Sequence, residues 1–377
     1  MDTTIETSQV LLVDDQESLQ QMADWLKTCS TIAVDTESDS LFVYYEKVCL
    51  IQFSAGGKNF IVDPLVTGQL TALEPIFASK KIEKIFHAAE YDIMCLKRDY
   101  NLEFSNLFDT MVAARILGEK EFGLGTLIEN KFGIHLEKKF QKSNWGIRPL
   151  SQEMLLYATM DTQFLNGLRN VLFQELEKRD LLPLAHEDFE LLCKLPAGQP
   201  EPVMINWWKA AGNTDLSFQQ AGALQNLCEL RETAAKKRDL PPFKIASNDA
   251  LLQIALQSPK NEEEIRKIKG VPPVFARRYG KSILAALEKS KTMNSIPRPT
   301  SVLRPANGIL SRKEKLKDWR KATGEKMEVP SDVILPKSVL DRIATENPSD
   351  ETELRKVMED CPWRYEHFCS EILDIIH

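Results

Sequence analysis

The chain has 377 residues, of which 43% are hydrophobic and 27% charged, and its formal net charge is −7. This length exceeds what one hydrophobic core normally supports, so we expect two or three domains. The composition is that of a globular protein, and no apolar run approaches the ~20 residues of a membrane-spanning helix, which excludes an integral membrane protein of the helical class. The first ten residues, MDTTIETSQV, lack the basic and apolar regions of a signal peptide, so a cytoplasmic location is expected.

The cysteines and the distribution of charge further limit the kinds of site and partner that we expect. The seven cysteines are scattered without a Cys-x-x-Cys pair, which favours reduced, buried thiols over a zinc site. Residues 201–311 hold 17 Lys and Arg against 10 Asp and Glu, a net +7, which leaves −14 on the remainder. A basic middle beside an acidic remainder suits a phosphate-binding module joined to a cation-binding one. A solvated surface would give the same imbalance.

The first half of the chain opens with strand patterns and continues with helical ones. Runs of β-branched and aromatic residues predict strands at 31–34, 48–54, 59–63 and 83–87. A hairpin turn is predicted at Gly56-Gly57. Apolar periodicity predicts helices at 90–98, 110–117, 124–131 and 152–178. Ser151 is the expected N-cap of the last helix. Strands followed by helices predict a mixed α/β domain over residues 1–195.

The second half carries no strand pattern and repeats itself. Two proline-rich stretches, at 195–202 and 295–308, predict linkers. Matching residues recur at a constant offset of 89 positions, for example Arg231 with Arg320 and Ile254 with Ile343. Because one register is kept without a gap, two small all-α domains of similar fold are predicted, at 212–294 and 309–377.

Three motifs in the first half place acids where they can hold a cation. Asp35 and Glu37 in VDTES share one face of a strand, and two unpaired acids held together favour a bound divalent cation. Asp92 in KIFHAAEYD lies in the first turn of a helix that follows a strand. Tyr157 and Asp161 in YATMD lie one helical turn apart. Singly, each has an ordinary alternative: an acidic turn, a helix-start carboxylate, and a packed tyrosine beside a solvated acid. Their order along the chain is a specific constellation.

Together these motifs resemble the DEDD superfamily of 3′→5′ exonucleases, in the subclass with a tyrosine in the third motif, and within it the ribonuclease D family. LFDTMVAARIL at 107–117 also fits, and its Asp109 is not a metal ligand in that family. The repeats of the second half resemble helicase-and-RNase-D C-terminal (HRDC) domains, most clearly in LCELRETAAKKRDLPPF and GVPPVFARRYG. The resemblance implies a ribonuclease H-like α/β exonuclease domain, a mixed sheet with helices, followed by two small all-α HRDC-like domains.

The resemblance also implies a catalytic set and its cofactors. The implied catalytic residues are Asp35, Glu37, Asp92, Tyr157 and Asp161. The four carboxylates would hold two divalent ions, Mg²⁺ or Mn²⁺, while the phenol orients the attacking water. Nucleoside 5′-monophosphates would then be removed one at a time from RNA 3′ ends. The implied substrates are tRNA precursors with single-stranded 3′ ends, and we expect a monomer that does not bind membranes.

The sequence departs from the family pattern at two places. Ala88 follows the histidine of the second motif, where the family commonly has Asn, and we expect no effect on metal binding because Asp92 is in place. The second repeat reads EDCPWRYEHFC where the first reads KGVPPVFARRY, so it has lost the Gly-Val-Pro turn and most of the basic residues. The second repeat therefore offers fewer basic contacts for RNA phosphates than the first.

RNA contacts are predicted at two basic clusters. The first, near the catalytic motifs, comprises Lys139, Lys142 and Arg148, with Trp145 stacking on a base. The second, in the first helical domain, comprises Lys236, Lys237 and Arg238. The alternatives are a solvated basic loop and a module that only docks on the nuclease domain.

Two competing functions remain open. The same carboxylates can serve a DNA 3′→5′ exonuclease, because recognition of the 2′-hydroxyl leaves no readable motif. A non-catalytic nucleic-acid-binding scaffold is the second alternative, although all five catalytic positions are occupied by the expected residues. A helicase is excluded by the lack of a G-x-x-x-x-G-K-[ST] phosphate loop.

Overall fold

The computed structural model describes residues 10–198, 207–292 and 307–377, which form two compact units. One unit combines residues 10–38 and 48–198 with residues 307–377, and the other combines residues 39–47 with residues 207–292. Most of the two predicted linkers, at 199–202 and 295–306, lies outside the described residues. In the ranges that are described, no helix is long and apolar enough to cross a membrane.

A mixed six-stranded sheet lies at the centre of the first unit, in the order β1-β4-β3-β2-β5-β6. Its strands are β1 (Val10–Val13), β2 (Thr31–Ser38), β3 (Val48–Ala55), β4 (Lys58–Val62), β5 (Glu83–Phe86) and β6 (Leu107–Asp109). Strand β2 pairs antiparallel with β3 and parallel with β5. The four predicted strands are confirmed, as is the hairpin turn, in which Gly56 and Gly57 have φ of 54° and 78°. Strands β1 and β6 were not predicted, because three or four residues carry too little pattern.

The helices of the first half pack around this sheet. They are α1 (Gln16–Leu26), α2 (Pro64–Thr67), α3 (Glu74–Phe77), α4 (Glu90–Tyr100), α5 (Thr110–Ile116), α6 (Leu124–Phe132), α7 (Gln152–Gln163), α8 (Leu165–Lys178) and α9 (Leu182–Cys193). The Ser151 side chain caps α7 by accepting from the Met154 N–H at 3.2 Å, as predicted. The single helix predicted over 152–178 is wrong, because α7 ends before Phe164.

The second half is helical throughout its described residues, as predicted. The first repeat, with the short helix before it, contains α10 (Trp207–Ala211), α11 (Phe218–Arg238), α12 (Pro242–Ile245), α13 (Asn248–Gln257), α14 (Glu262–Lys267) and α15 (Pro273–Ser290). The second contains α16 (Asn307–Met327), α17 (Ser331–Ile334), α18 (Lys337–Glu346), α19 (Glu351–Val357) and α20 (Pro362–Ile376). Arg231 donates to the carbonyl of Ala246 at 3.1 Å, and Arg320 donates to that of Leu335 at 2.9 Å. Both pairs are 89 positions apart, so the repeat is also a repeat of structure.

The second repeat is bonded to the sheet domain through one buried arginine. The Arg364 side chain is fully buried and forms ion pairs with Glu187, and with Asp188 at 2.8 Å, both on α9. It also donates to the carbonyl of Val333 at 2.8 Å. The equivalent residue of the first repeat is Phe275, which lies in that repeat's own core. The two repeats have therefore diverged at a position that one uses for docking and the other for packing.

Residues 39–47 follow strand β2 and pack with the first helical repeat. The Tyr44 N–H donates to the Asp239 carboxylate at 3.0 Å, and the Tyr44 hydroxyl donates to Glu232. The Lys244 ammonium lies 4.0 Å from the centre of the Phe42 ring. This segment begins two positions after Glu37, so the strand that carries two predicted metal ligands leads directly into an element of the second unit.

Candidate active site

Three of the predicted acids meet where β2 faces α7. Asp35 and Glu37 share one face of β2, and Asp161 lies in the last turn of α7. Ligand oxygens of these three carboxylates all lie within 4.8 Å of one another. The carboxylate donor set is the kind that Mg²⁺ and Mn²⁺ bind, so the residues present fit the divalent cations implied by the sequence.

Burial and mutual repulsion disfavour the charged form of these acids. Burial, followed by the charges of Asp92, Asp161 and Glu37, raises the pKa of Asp35 well above its usual range. Burial, with the charges of Asp161 and Asp92, raises the pKa of Glu37 to about 9. Burial raises the pKa of Asp161 to about 6. A cation in the cluster would offset the repulsion, whereas the protein alone supplies little compensation.

Asp92 lies beside the cluster and is hydrogen-bonded to the residue of β2 between Asp35 and Glu37. It is buried at the third position of α4, and its carboxylate accepts a hydrogen bond from the hydroxyl of Thr36. Alternation along β2 places Thr36 on the face opposite to Asp35 and Glu37. Burial raises the pKa of Asp92 to about 7, against the lowering effect of the Thr36 hydrogen bond. Asp92 is near enough to perturb the other acids, but it lies outside the group of three.

Sequence reasoning did not assign a role to Thr36, although its place between two predicted ligands was a visible signal. It also did not assign one to Asp109. The Asp109 carboxylate accepts from the N–H groups of Ala88 at 3.2 Å and Ala89 at 2.7 Å, and from those of Met111 and Val112 in α5. These bonds hold the start of α4, and hence the backbone that carries Asp92.

Tyr157 lies one helical turn before Asp161 and is packed between two aromatic rings. The ring centroids of Phe140 and Trp145 are 5.7 and 6.2 Å from that of Tyr157. Burial, reinforced by the charges of Asp161, Glu37 and Asp35, raises the pKa of the phenol above its ordinary value. The phenol therefore stays protonated, which makes it a hydrogen-bond donor and a poor general base.

Two of the predicted RNA-contacting side chains have structural partners instead. Trp145 is 1% exposed and stacks on Tyr157, so its ring is not available to a nucleotide base. Arg148 makes a two-pronged ion pair with Asp63, one contact being 2.7 Å, and donates to the carbonyl of Cys49 at 3.0 Å. These contacts tie the loop before α7 to β3 and α2. Both predicted RNA contacts, Trp145 and Arg148, are therefore wrong.

The remaining predicted contacts lie on the surface. Lys139 is exposed and pairs with the exposed Glu153 at 2.7 Å, a contact of small stabilising effect that a phosphate could replace. Lys142 is exposed in the same loop. In the first helical repeat, Lys236, Lys237 and Arg238 are all exposed at the C-terminal end of α11.

Comparison with known families assigns three segments of the chain. Residues 10–177 match the 3′-5′ exonuclease domain family, and residues 220–287 and 310–376 each match the HRDC domain family. The chain is 28% identical to the ribonuclease D of Granulibacter bethesdensis over 348 residues, which cover 90% of this chain and 87% of that protein. It is also 28% identical to the exosome complex component 10 homologue of Caenorhabditis elegans, where the match covers 77% of this chain and 33% of the relative.

Solved structures give a consistent result. The catalytic core of RRP6 from Trypanosoma brucei superposes with a TM-score of 0.69 at 28% identity, covering 76% of this chain and 81% of that one. The ribonuclease D of Escherichia coli superposes with a TM-score of 0.69 over 98% of both chains. At 22% identity, the match to the Escherichia coli structure shows the fold alone. It covers the exonuclease domain and both HRDC domains.

Proposed function

Because this chain is a ribonuclease D-like 3′-5′ exonuclease, with one exonuclease domain followed by two HRDC domains, we propose that it removes nucleoside 5′-monophosphates one at a time from RNA 3′ ends. The observation that carries the proposal is the convergence of Asp35, Glu37 and Asp161 within 4.8 Å. RNA is favoured over DNA by the likeness to ribonuclease D across 90% of the chain. A non-catalytic scaffold would not need to keep three half-buried acids together against their repulsion.

Each side chain of the site has a part in this chemistry. Asp35, Glu37 and Asp161, with Asp92 beside them, would hold the divalent cations. When bound, these cations would supply a lowered pKa for an attacking water and positive charge to offset that of the leaving oxygen. The protonated Tyr157 donates a hydrogen bond that orients the water, and the rings of Phe140 and Trp145 that pack on it fix its own position.

Substrate binding is assigned to the first HRDC domain rather than the second. Residues 207–292 carry 15 Lys and Arg against 9 Asp and Glu, a net +6, whereas residues 307–377 carry 12 against 15, a net −3. The second domain also commits Arg364 to Glu187 and Asp188. Lysines and arginines that neutralise phosphates of the RNA backbone strengthen binding, because they release condensed counterions. The proposed phosphate contacts are Lys236, Lys237 and Arg238 in this domain, together with Lys139 and Lys142 in the exonuclease domain.

The proposed natural substrate is a tRNA precursor with a single-stranded 3′ trailer, acted on by a monomer. Its support is the resemblance to ribonuclease D alone. A labelled precursor with a trailer should be shortened to a uniform end at the folded acceptor stem, while an unstructured RNA of the same length should be shortened without a stop. This substrate would be contradicted if the precursor were degraded through its acceptor stem as fast as the unstructured RNA is degraded.

The function is tested with a 5′-labelled single-stranded RNA and its DNA counterpart, in Mg²⁺, Mn²⁺ or EDTA. We expect a ladder of shortening RNA with either metal and none in EDTA. Asp35→Asn should abolish it, whereas Asp14→Asn, at an exposed acid, should not. Shortened DNA with intact RNA would favour the DNA exonuclease, and no shortening of either would favour the scaffold.

A further inference from the structure

Gln52 lies beside the acidic cluster in the strand next to it. It is paired directly with Asp35 in the antiparallel ladder between β2 and β3. Directly opposed residues of such a ladder project from the same face, with Cβ atoms ~4.5–5.5 Å apart. Gln52 is therefore on the face of the sheet that carries Asp35 and Glu37, and its side chain is long enough for the amide to reach the carboxylate opposite.

The Gln52 amide is buried and unsatisfied. Its side chain is 0% exposed, and neither Oε1 nor Nε2 has a hydrogen-bond partner among the described residues. The next polar residue on the same face behaves differently. The Ser54 hydroxyl donates to Asn59 Oδ1 at 2.6 Å and lies 2.8 Å from the Thr162 hydroxyl. Buried polar groups are nearly always paired, so an orphaned amide next to an acidic cluster needs an explanation.

The proposed function supplies one. Carboxylates that bind metals are themselves usually held by hydrogen bonds from outer residues, which fix their orientation. An N–H bond to an ionised carboxylate is stronger than one to a neutral partner. Glutamine suits this place because it donates without adding charge: lysine would compete with the cation, and glutamate would add a further repelling acid.

We propose that Gln52 is a positioning residue of the nuclease centre, whose amide donates to the ionised carboxylate of Asp35 when that carboxylate holds a cation. This inference rests on the proposed function. The ordinary alternative is that Gln52 only fills space between the sheet and α7, in which case an apolar side chain of the same length would serve equally well.

Gln52→Met separates these interpretations, since it keeps the length and removes the amide. Mn²⁺ binding is measured by titration calorimetry without RNA, and thermal unfolding is measured in EDTA. We expect Mn²⁺ affinity to fall about 10–100-fold. The melting temperature in EDTA should equal or exceed that of the wild type, because an unsatisfied buried amide has been removed. Wild-type Mn²⁺ affinity in Gln52→Met would overturn the inference.

Ser54→Ala is the matched control on the same strand and face. It breaks a satisfied hydrogen bond, so it should lower the melting temperature and leave Mn²⁺ affinity unchanged. Should Gln52→Met fail to fold, Gln52→Asn provides the same test, because it keeps the amide but shortens its reach. It too should bind Mn²⁺ more weakly, and unchanged affinity would overturn the inference. Failure of the proposed function has another signature: wild-type protein that neither binds Mn²⁺ nor shortens RNA.

Discussion

Replacing Asp161 by Asn should stabilise the metal-free protein while abolishing its stabilisation by metal. Burial raises the pKa of Asp161 from 3.8 to about 6. At ~1.4 kcal/mol for each pKa unit, ionising this group at pH 8 costs the folded state about 3 kcal/mol. The asparagine side chain does not ionise, so the Asp161→Asn variant avoids that cost.

The sign of the pH dependence follows from the direction of the shift. Between the unfolded pKa near ~4 and the folded value of about 6, the folded state binds more protons than the unfolded state. The free energy of unfolding of the wild type therefore falls as pH rises through this window, and stays lower above it. The variant lacks this contribution, so the two proteins should converge near pH 4 and differ most at pH 7 and above.

The assay is thermal unfolding from pH 4 to 9, in EDTA and in Mn²⁺. In EDTA at pH 8 the variant should melt higher, by up to roughly 10 °C for about 3 kcal/mol in a unit of this size. A saturating metal at ~100 times its Kd should stabilise the wild type by about 2.7 kcal/mol and the variant by much less. A variant that melts lower than the wild type in EDTA, with the same pH slope, would refute the electrostatic argument. Equal stabilisation by Mn²⁺ would refute Asp161 as a ligand.

Three further outcomes are expected. Arg364→Met leaves Glu187 buried without its partner and should lower the free energy of unfolding by ~3–5 kcal/mol. Adding Glu187→Leu should restore much of this stability. An unchanged melting temperature in Arg364→Met would contradict the expectation. Tyr157→Phe should keep Mn²⁺ affinity in calorimetry but lower kcat on RNA on the order of 100-fold, and an unchanged kcat would remove the phenol from the mechanism. Lys237→Glu with Arg238→Glu should raise KM on RNA at constant kcat and reduce the salt dependence of binding by about two phosphate contacts; an unchanged KM would exclude them as contacts.

Local pattern sufficed for much of the fold and for the direction of each acidic side chain, whereas the convergence of the three acids was expected only from the resemblance to the 3′→5′ exonucleases. Alternation along a strand places Asp35 and Glu37 on one face whatever packs against it, and a four-residue spacing places Tyr157 and Asp161 on one face of any helix. The constant offset of 89 positions predicted a duplicated helical domain because each repeat folds around its own core, and the paired arginine bonds confirm it. These features depend on periodicity, which is written in the sequence itself.

The rest depends on which residues meet across the fold, and periodicity carries no information on that. The sequence around Trp145 and Arg148 is typical of an exposed basic and aromatic loop. In the structure, Trp145 stacks on Tyr157 and Arg148 pairs with Asp63. Gln52 reads as one polar residue in an apolar strand, and only the ladder register places it opposite Asp35. Local spacing sets the direction of a side chain, whereas its partner is set by segments distant in the chain. The tertiary structure alone therefore decided which basic and aromatic side chains are committed to buried partners, and which amide lies opposite Asp35 in the sheet.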